Sequence, residues 1–162
     1  MKWSYVVAAG SLLVSSFLAA QMPGDKPSVI MAPVGKVELR AGATKSVNLD
    51  FRVGPEFHIN SHTPKSELLI PTVLKIAPSG QVAVSDLKYP AGQDVSFPFS
   101  PDEKLSVYSG DFTIDTVLKA PANASPGVYP VKGELRFQAC DHSACFPPRS
   151  IPVQFDVTVV KK

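Results

Sequence analysis

Apolar residues recur at every second position over long stretches of this chain, and that period restricts the fold more than any other feature. Val47, Leu49, Phe51 and Val53 alternate with Asn48, Asp50 and Arg52. On a helix this spacing would scatter the apolar groups around the axis; on a strand it sends them all to one face. The same period runs through Val131, Leu135, Phe137 and Ala139, separated by Lys132, Glu134, Arg136 and Gln138. It returns in Ile151, Val153, Phe155, Val157 and Val159. Three strands with one dry and one wet face are therefore expected. Shorter runs predict further strands over 37–40, 57–60, 72–77, 82–89 and 112–120.

Between the runs lie Gly54-Pro55, Pro78-Ser79-Gly80, Pro90-Ala91-Gly92, Ser109-Gly110-Asp111 and Ser125-Pro126-Gly127, all of them turn chemistry. The chain has 16 prolines, none of them in the first twenty residues. Proline at that density breaks helices and settles at strand ends and turns. No segment carries a 3.6-residue period over eleven residues. The expected fold class is all-β, an immunoglobulin-like antiparallel two-sheet sandwich of about 7–9 strands. The cysteine–tryptophan–cysteine spacing of antibody domains is missing, because the one tryptophan is Trp3.

The N-terminus predicts export. Lys2 precedes a run of small and apolar residues from Val6 to Ala20, which reads as a secretory signal peptide over residues 1–20. The run is too short for a confident membrane span, and no later stretch reaches the roughly 18 apolar residues that one needs. Residues 21–33 hold three prolines and no periodicity, and read as a flexible lead-in. Residues 34–162 form the expected domain. The expected product is a soluble, exported protein with no membrane span once the signal is removed. A net charge of +2 lacks the basic footprint of a nucleic-acid binder.

The chemistry concentrates in the segment Phe137-Gln-Ala-Cys140-Asp-His-Ser-Ala-Cys145-Phe-Pro-Pro148, between two of the strongest strands. Cys140 and Cys145 should sit at a hairpin end. Five extended steps span about 17 Å, whereas a disulfide needs Cα atoms within about 7 Å, so the loop must fold back for the two to bond. Strand parity turns Cys140 away from the core face of 131, 135, 137 and 139, towards the surface. In an exported protein a stabilising disulfide is the ordinary reading. Against it, a six-residue ring restrains the unfolded chain by only about 2 kcal/mol, and a pair at a loop tip is well placed for redox exchange. Both readings stay open on the residues alone. Asp141 and His142 lie between the sulfurs; a protonated histidine would lower a nearby thiol's pKa and the carboxylate would raise it.

The order Phe57-His-Ile-Asn-Ser-His-Thr-Pro64, Pro71-Thr-Val-Leu-Lys-Ile76, Tyr89-Pro-Ala-Gly92, Val107-Tyr-Ser-Gly110, Gly127-Val-Tyr129 and Gly133-Glu-Leu-Arg-Phe-Gln-Ala-Cys140 through Cys145-Phe-Pro-Pro148 resembles the N-terminal periplasmic domains of the thiol:disulfide interchange protein DsbD. The aromatic-Gln-x-Cys and Cys-x-Pro-Pro pieces are the most specific part. The resemblance implies an immunoglobulin-like redox module of the protein-disulfide reductase type, without a cofactor, whose cysteines shuttle between dithiol and disulfide. It implies thioredoxin-fold partners of the disulfide isomerase or cytochrome-maturation type, and a separate membrane protein as electron donor. By the same resemblance Cys145 forms the mixed disulfide and Cys140 resolves it. A cap-loop phenylalanine, Phe97 or Phe99, covers the pair, with Asp141, His142 and Phe146 around it. Two features depart from the family: its cysteines are usually one residue further apart, and its shielding tyrosines are replaced around Ser66 to Ile70.

Two alternatives belong to other classes. One is a non-enzymatic immunoglobulin-like interaction domain with a structural disulfide. The other is a copper or zinc site built from Cys140, His142 and Cys145 with His58 or His62, although the spacing is not that of a standard zinc motif. The expected site carries no metal. No G-x-S-x-G elbow, phosphate loop or H-E-x-x-H motif is present.

Overall fold

A computed structural model describes residues 28–161 except residue 78. The expected signal peptide and most of the expected lead-in lie outside the described residues. The fold is all-β and immunoglobulin-like, with twelve strands in three four-stranded sheets among the described residues.

The first sheet has the order β1 (Val29–Met31), β3 (Thr44–Val53), β9 (Asp111–Lys119), β6 (Ala83–Lys88). The second has the order β2 (Val37–Arg40), β12 (Arg149–Val160), β10 (Gly127–Phe137), β5 (Val73–Ile76). The period-two pattern explains how they face each other. Leu49, Phe51, Ile114 and Leu118 of the first sheet and Leu39, Val131, Leu135, Val153 and Val157 of the second are all buried in one cluster. Each such side chain contributes about 1.5–3 kcal/mol of hydrophobic stabilisation. Gly133 lies at a core-parity position of β10, but a Cβ there would run into the backbone oxygen of Lys75 on β5. Only glycine allows that close approach.

The third sheet is small and has the order β11 (Ala139–Cys140), β4 (His58–Asn60), β8 (Ser100–Tyr108), β7 (Gln93–Phe97). It lies at the end of β10 and carries the cysteine segment. Of these four strands, the sequence pattern reveals only β4. β7 has no buried residue and β8 ends in the buried run Leu105–Ser106–Val107–Tyr108, so neither alternates. The two are instead joined through a tight hairpin, with Phe97 opposite Ser100.

Three details differ from the sequence expectations. The strand count is twelve rather than 7–9, because short edge pieces with no period of their own pair with longer neighbours. Part of the expected lead-in is β1, which pairs with β3 so that Val29 stands opposite Val53. The pairing is not wholly antiparallel: β2 runs parallel to β12, with Val37 opposite Val157. No α-helix occurs among the described residues, and none of them forms a helix long and apolar enough to cross a membrane.

Candidate functional site

β10 and β12 pair along their whole length, from Gly127 opposite Val159 to Phe137 opposite Arg149, so the cysteines lie at their shared end as the spacing required. The chain does not continue straight. Gln138 leaves the β10 ladder, and Ala139–Cys140 cross into the third sheet, where Cys140 pairs with His58. This step of one residue breaks the parity. Ala139 and Cys140 are consecutive and both buried, and Cys140 is 0% exposed. The outward position expected for Cys140 is therefore corrected, because that expectation assumed one unbroken strand.

After Cys140 the chain turns back within five residues. The Asp141 N–H donates to the Ala144 carbonyl over 2.9 Å, and the Phe146 N–H donates to the Ala139 carbonyl over 2.8 Å. The Asp141 carboxylate accepts the N–H groups of Ser143 and Ala144 at 2.7 and 2.8 Å, an Asx-type turn. These bonds bring Cys145 opposite Cys140 with Cα atoms 3.9 Å apart, and the two are disulfide-bonded. Cys145 is exposed, as is His142. One cysteine of the pair thus faces solvent while the other is enclosed. The two backbone N–H bonds hold the Asp141 carboxyl below its ordinary pKa, with smaller electrostatic contributions from His142 and His58.

The side chain of Gln138 locks this tip to its surroundings. Its Oε1 accepts from Asn60 Nδ2 at 3.2 Å and from the Ile70 N–H at 3.4 Å. Its Nε2 donates to the Phe146 carbonyl at 3.2 Å. Asn60 Nδ2 also donates to the Ile70 carbonyl at 3.0 Å. Gln138 and Asn60 therefore tie the cysteine hairpin, β4 and the 61–72 loop together. The segment Ser66 to Ile70 belongs to that loop; Leu68 at its tip is 92% exposed. Phe146 is half-buried and meets Phe57 edge to face, with ring centroids 5.9 Å apart.

His58 is 4% exposed, and Phe97 stacks on its imidazole with centroids 3.9 Å apart. Phe99, at the β7–β8 hairpin, lies beyond Phe97 with a centroid distance of 5.4 Å and is 38% exposed. Phe97 is thus the inner ring and Phe99 the outer one. Burial pushes the His58 pKa down to about 4, with the Asp141 carboxylate opposing the shift. Its Nε2 finds no hydrogen-bond partner among the described residues. His62 lies elsewhere: its ring stacks on Tyr89 at 3.6 Å and its Nδ1 meets the Thr72 carbonyl. Of the residues of the metal alternative, His62 therefore stands apart, while His58 lies across from Cys140. The sulfurs bond each other, and no group of three or more potential ligands is arranged for a metal among the described residues.

Sequence reasoning placed Cys140, Cys145, Asp141, His142 and Phe146 in one hairpin and put Phe97 and Phe99 in a nearby loop. It missed Asn60 and Gln138 as parts of the site, and it offered His58 only as a metal ligand, not as the residue across from Cys140. A signal existed for Gln138, a polar residue two positions before Cys140 in the aromatic-Gln-x-Cys piece. For His58 there was only its strand position.

The family described as thiol:disulfide interchange protein DsbD, N-terminal, matches residues 29–156, most of the chain. The chain belongs to the DsbD N-terminal domain family. Among solved structures it is similar to a DsbD N-terminal domain from Neisseria meningitidis, solved in complex with the PilB N-terminal domain. The identity is 19%, with 85% of this chain and 87% of that one covered and a TM-score of 0.43. It is also similar to a type I cohesin from Pseudobacteroides cellulosolvens, at 16% identity, 83% and 93% coverage and a TM-score of 0.49. No curated protein sequence matches it. The cysteine pair, the aromatic rings and the Gln138 network all fall inside the stretch that matches the DsbD family.

Proposed function

We propose that this chain is a periplasmic thiol–disulfide exchange module that relays reducing equivalents to or from thioredoxin-fold partners through Cys140 and Cys145. The observation that carries the reading is the asymmetry of a bonded pair in a DsbD-family domain: Cys145 is open to a visiting sulfur and Cys140 is enclosed behind it. Exchange requires in-line access to one sulfur only. In the reducing direction the Cys145 thiolate attacks the partner's disulfide, and the partner's leaving sulfur takes the electron pair. Cys140, as thiolate, then attacks Cys145 in the mixed disulfide. The partner departs as a dithiol, and the Cys140–Cys145 bond re-forms. The module is recharged by a dithiol donor, which we assign to a separate membrane protein. Phe97 and Phe99 form the lid over this corner, and a docking partner displaces them.

The test is to trap the intermediate. The Cys140→Ser variant is reduced and incubated with an oxidised thioredoxin-fold domain. A reductant-sensitive covalent complex through Cys145 is expected, and none with Cys145→Ser. Absence of a complex with either variant, while reduction of the wild-type chain merely lowers its melting temperature, would leave an interaction domain with a structural disulfide.

A further inference from the structure

Exchange at Cys145 creates a problem at Cys140. When a thiolate of a thioredoxin-fold dithiol attacks Cys145 Sγ, the new sulfur–sulfur bond forms as the Cys140–Cys145 bond breaks. The electron pair leaves on Cys140 Sγ. The partner's second thiol then displaces Cys145, and the two protons of the partner dithiol end on the two cysteines. Cys140 is 0% exposed, so its nascent charge has no bulk water to stabilise it.

The β11–β4 register supplies a partner. His58 stands directly opposite Cys140 on antiparallel strands, which puts both side chains on one face with Cβ atoms about 5 Å apart. Phe97 stacks on the imidazole and holds the plane of the ring. Its Nε2 is buried and lacks a hydrogen-bond partner among the described residues. A buried polar group without a partner is destabilising, and asks what it is kept for. Asp141, the charged group acting on the ring, already accepts two backbone N–H groups. Tyr108, opposite Ile59 on β8, donates its hydroxyl to the Pro90 carbonyl. β7 and its hairpin present Phe97 and Phe99.

We propose that His58 Nε2–H is a redox-linked donor that is orphaned in the disulfide and bonds Cys140 Sγ once that sulfur is released. The ring is neutral at neutral pH because burial disfavours its charged form, so it acts as a hydrogen-bond donor and not as a cation. It stabilises the opened pair and the leaving sulfur, and its orphaned state in the closed form works in the same direction. His58 is in this sense a positioning and stabilising residue for Cys140. The inference rests on the exchange reading only in requiring that the pair open and close.

The test uses the full chain equilibrated with reduced and oxidised glutathione at pH 7. His58→Phe keeps an aromatic ring under Phe97 and deletes the donor. Loss of one hydrogen bond to a buried sulfur should shift the equilibrium about tenfold towards the disulfide, equal to about 30 mV more negative for a two-electron couple. An unchanged equilibrium would overturn the proposal. A second measurement needs no variant: in wild-type protein the His58 Nε2–H proton should move downfield on reduction, and an unmoved or upfield resonance would equally overturn it. The outcomes also separate the two readings. A tenfold shift with no trapped partner complex would sink the relay and leave the His58 role standing.

Discussion

Asn60 Nδ2 donates to Gln138 Oε1 across 3.2 Å, joining two residues 78 positions apart in the chain. With the Asn60 N–H donating to the Gln138 carbonyl, this bond fixes the strand that carries His58 against the residue that launches the cysteine hairpin. The same Gln138 side chain holds the Ile70 N–H and the Phe146 carbonyl.

Gln138→Ala should therefore loosen the tip. It strips partners from Asn60 Nδ2, the Ile70 N–H and the Phe146 carbonyl at once. We expect a loss of about 1–3 kcal/mol in urea unfolding, together with faster amide hydrogen exchange at Ile70. Unchanged exchange at Ile70 would mean that the 61–72 loop is held by other contacts.

Asp141→Ala should make the disulfide easier to reduce. The carboxylate accepts the N–H groups of Ser143 and Ala144, and that turn returns Cys145 to Cys140. Without it the two thiols meet less often, and the equilibrium with glutathione should move towards the dithiol. Asp141→Asn keeps an acceptor and should lie between the alanine variant and wild type. A wild-type equilibrium in Asp141→Ala would show that the turn forms without its carboxylate.

Stability should fall in mild acid because of His58. Its folded pKa of about 4 lies below the unfolded value of 6.5, so the unfolded chain binds the proton first. The sign follows: stability is unaffected above pH 6.5 and declines as pH drops from 6.5 towards 4, by up to about 3 kcal/mol. Asp141, also depressed in the folded state, adds its loss at still lower pH. In His58→Phe the decline between pH 6.5 and 4 should flatten. A variant that retained the full slope would assign it to another group.

Core truncation should separate stability from redox behaviour. Leu49 is fully buried in the core between the two large sheets and touches none of the groups at the cysteine tip described above. Leu49→Ala should reduce unfolding stability by about 2–5 kcal/mol and leave the glutathione equilibrium of the cysteine pair at its wild-type value. A moved equilibrium would reveal coupling between the main core and the cysteine tip.

The sequence alone determined the all-β class, the inward faces of β3, β10 and β12, and the presence of two cysteines at the end of a long strand pair. These follow from local periodicity and turn chemistry, because side chains on a strand alternate whatever lies across from them. What only the tertiary structure decided was the third sheet. β7, β8 and β11 carry no clean period and exist because neighbours pair with them. The step at Gln138 from one sheet to another reversed the side on which Cys140 was expected, and it buried that sulfur while leaving Cys145 outside. Placing His58 against Cys140 depends on the same step, since register between segments about 80 residues apart is set by packing and not by either segment's own pattern.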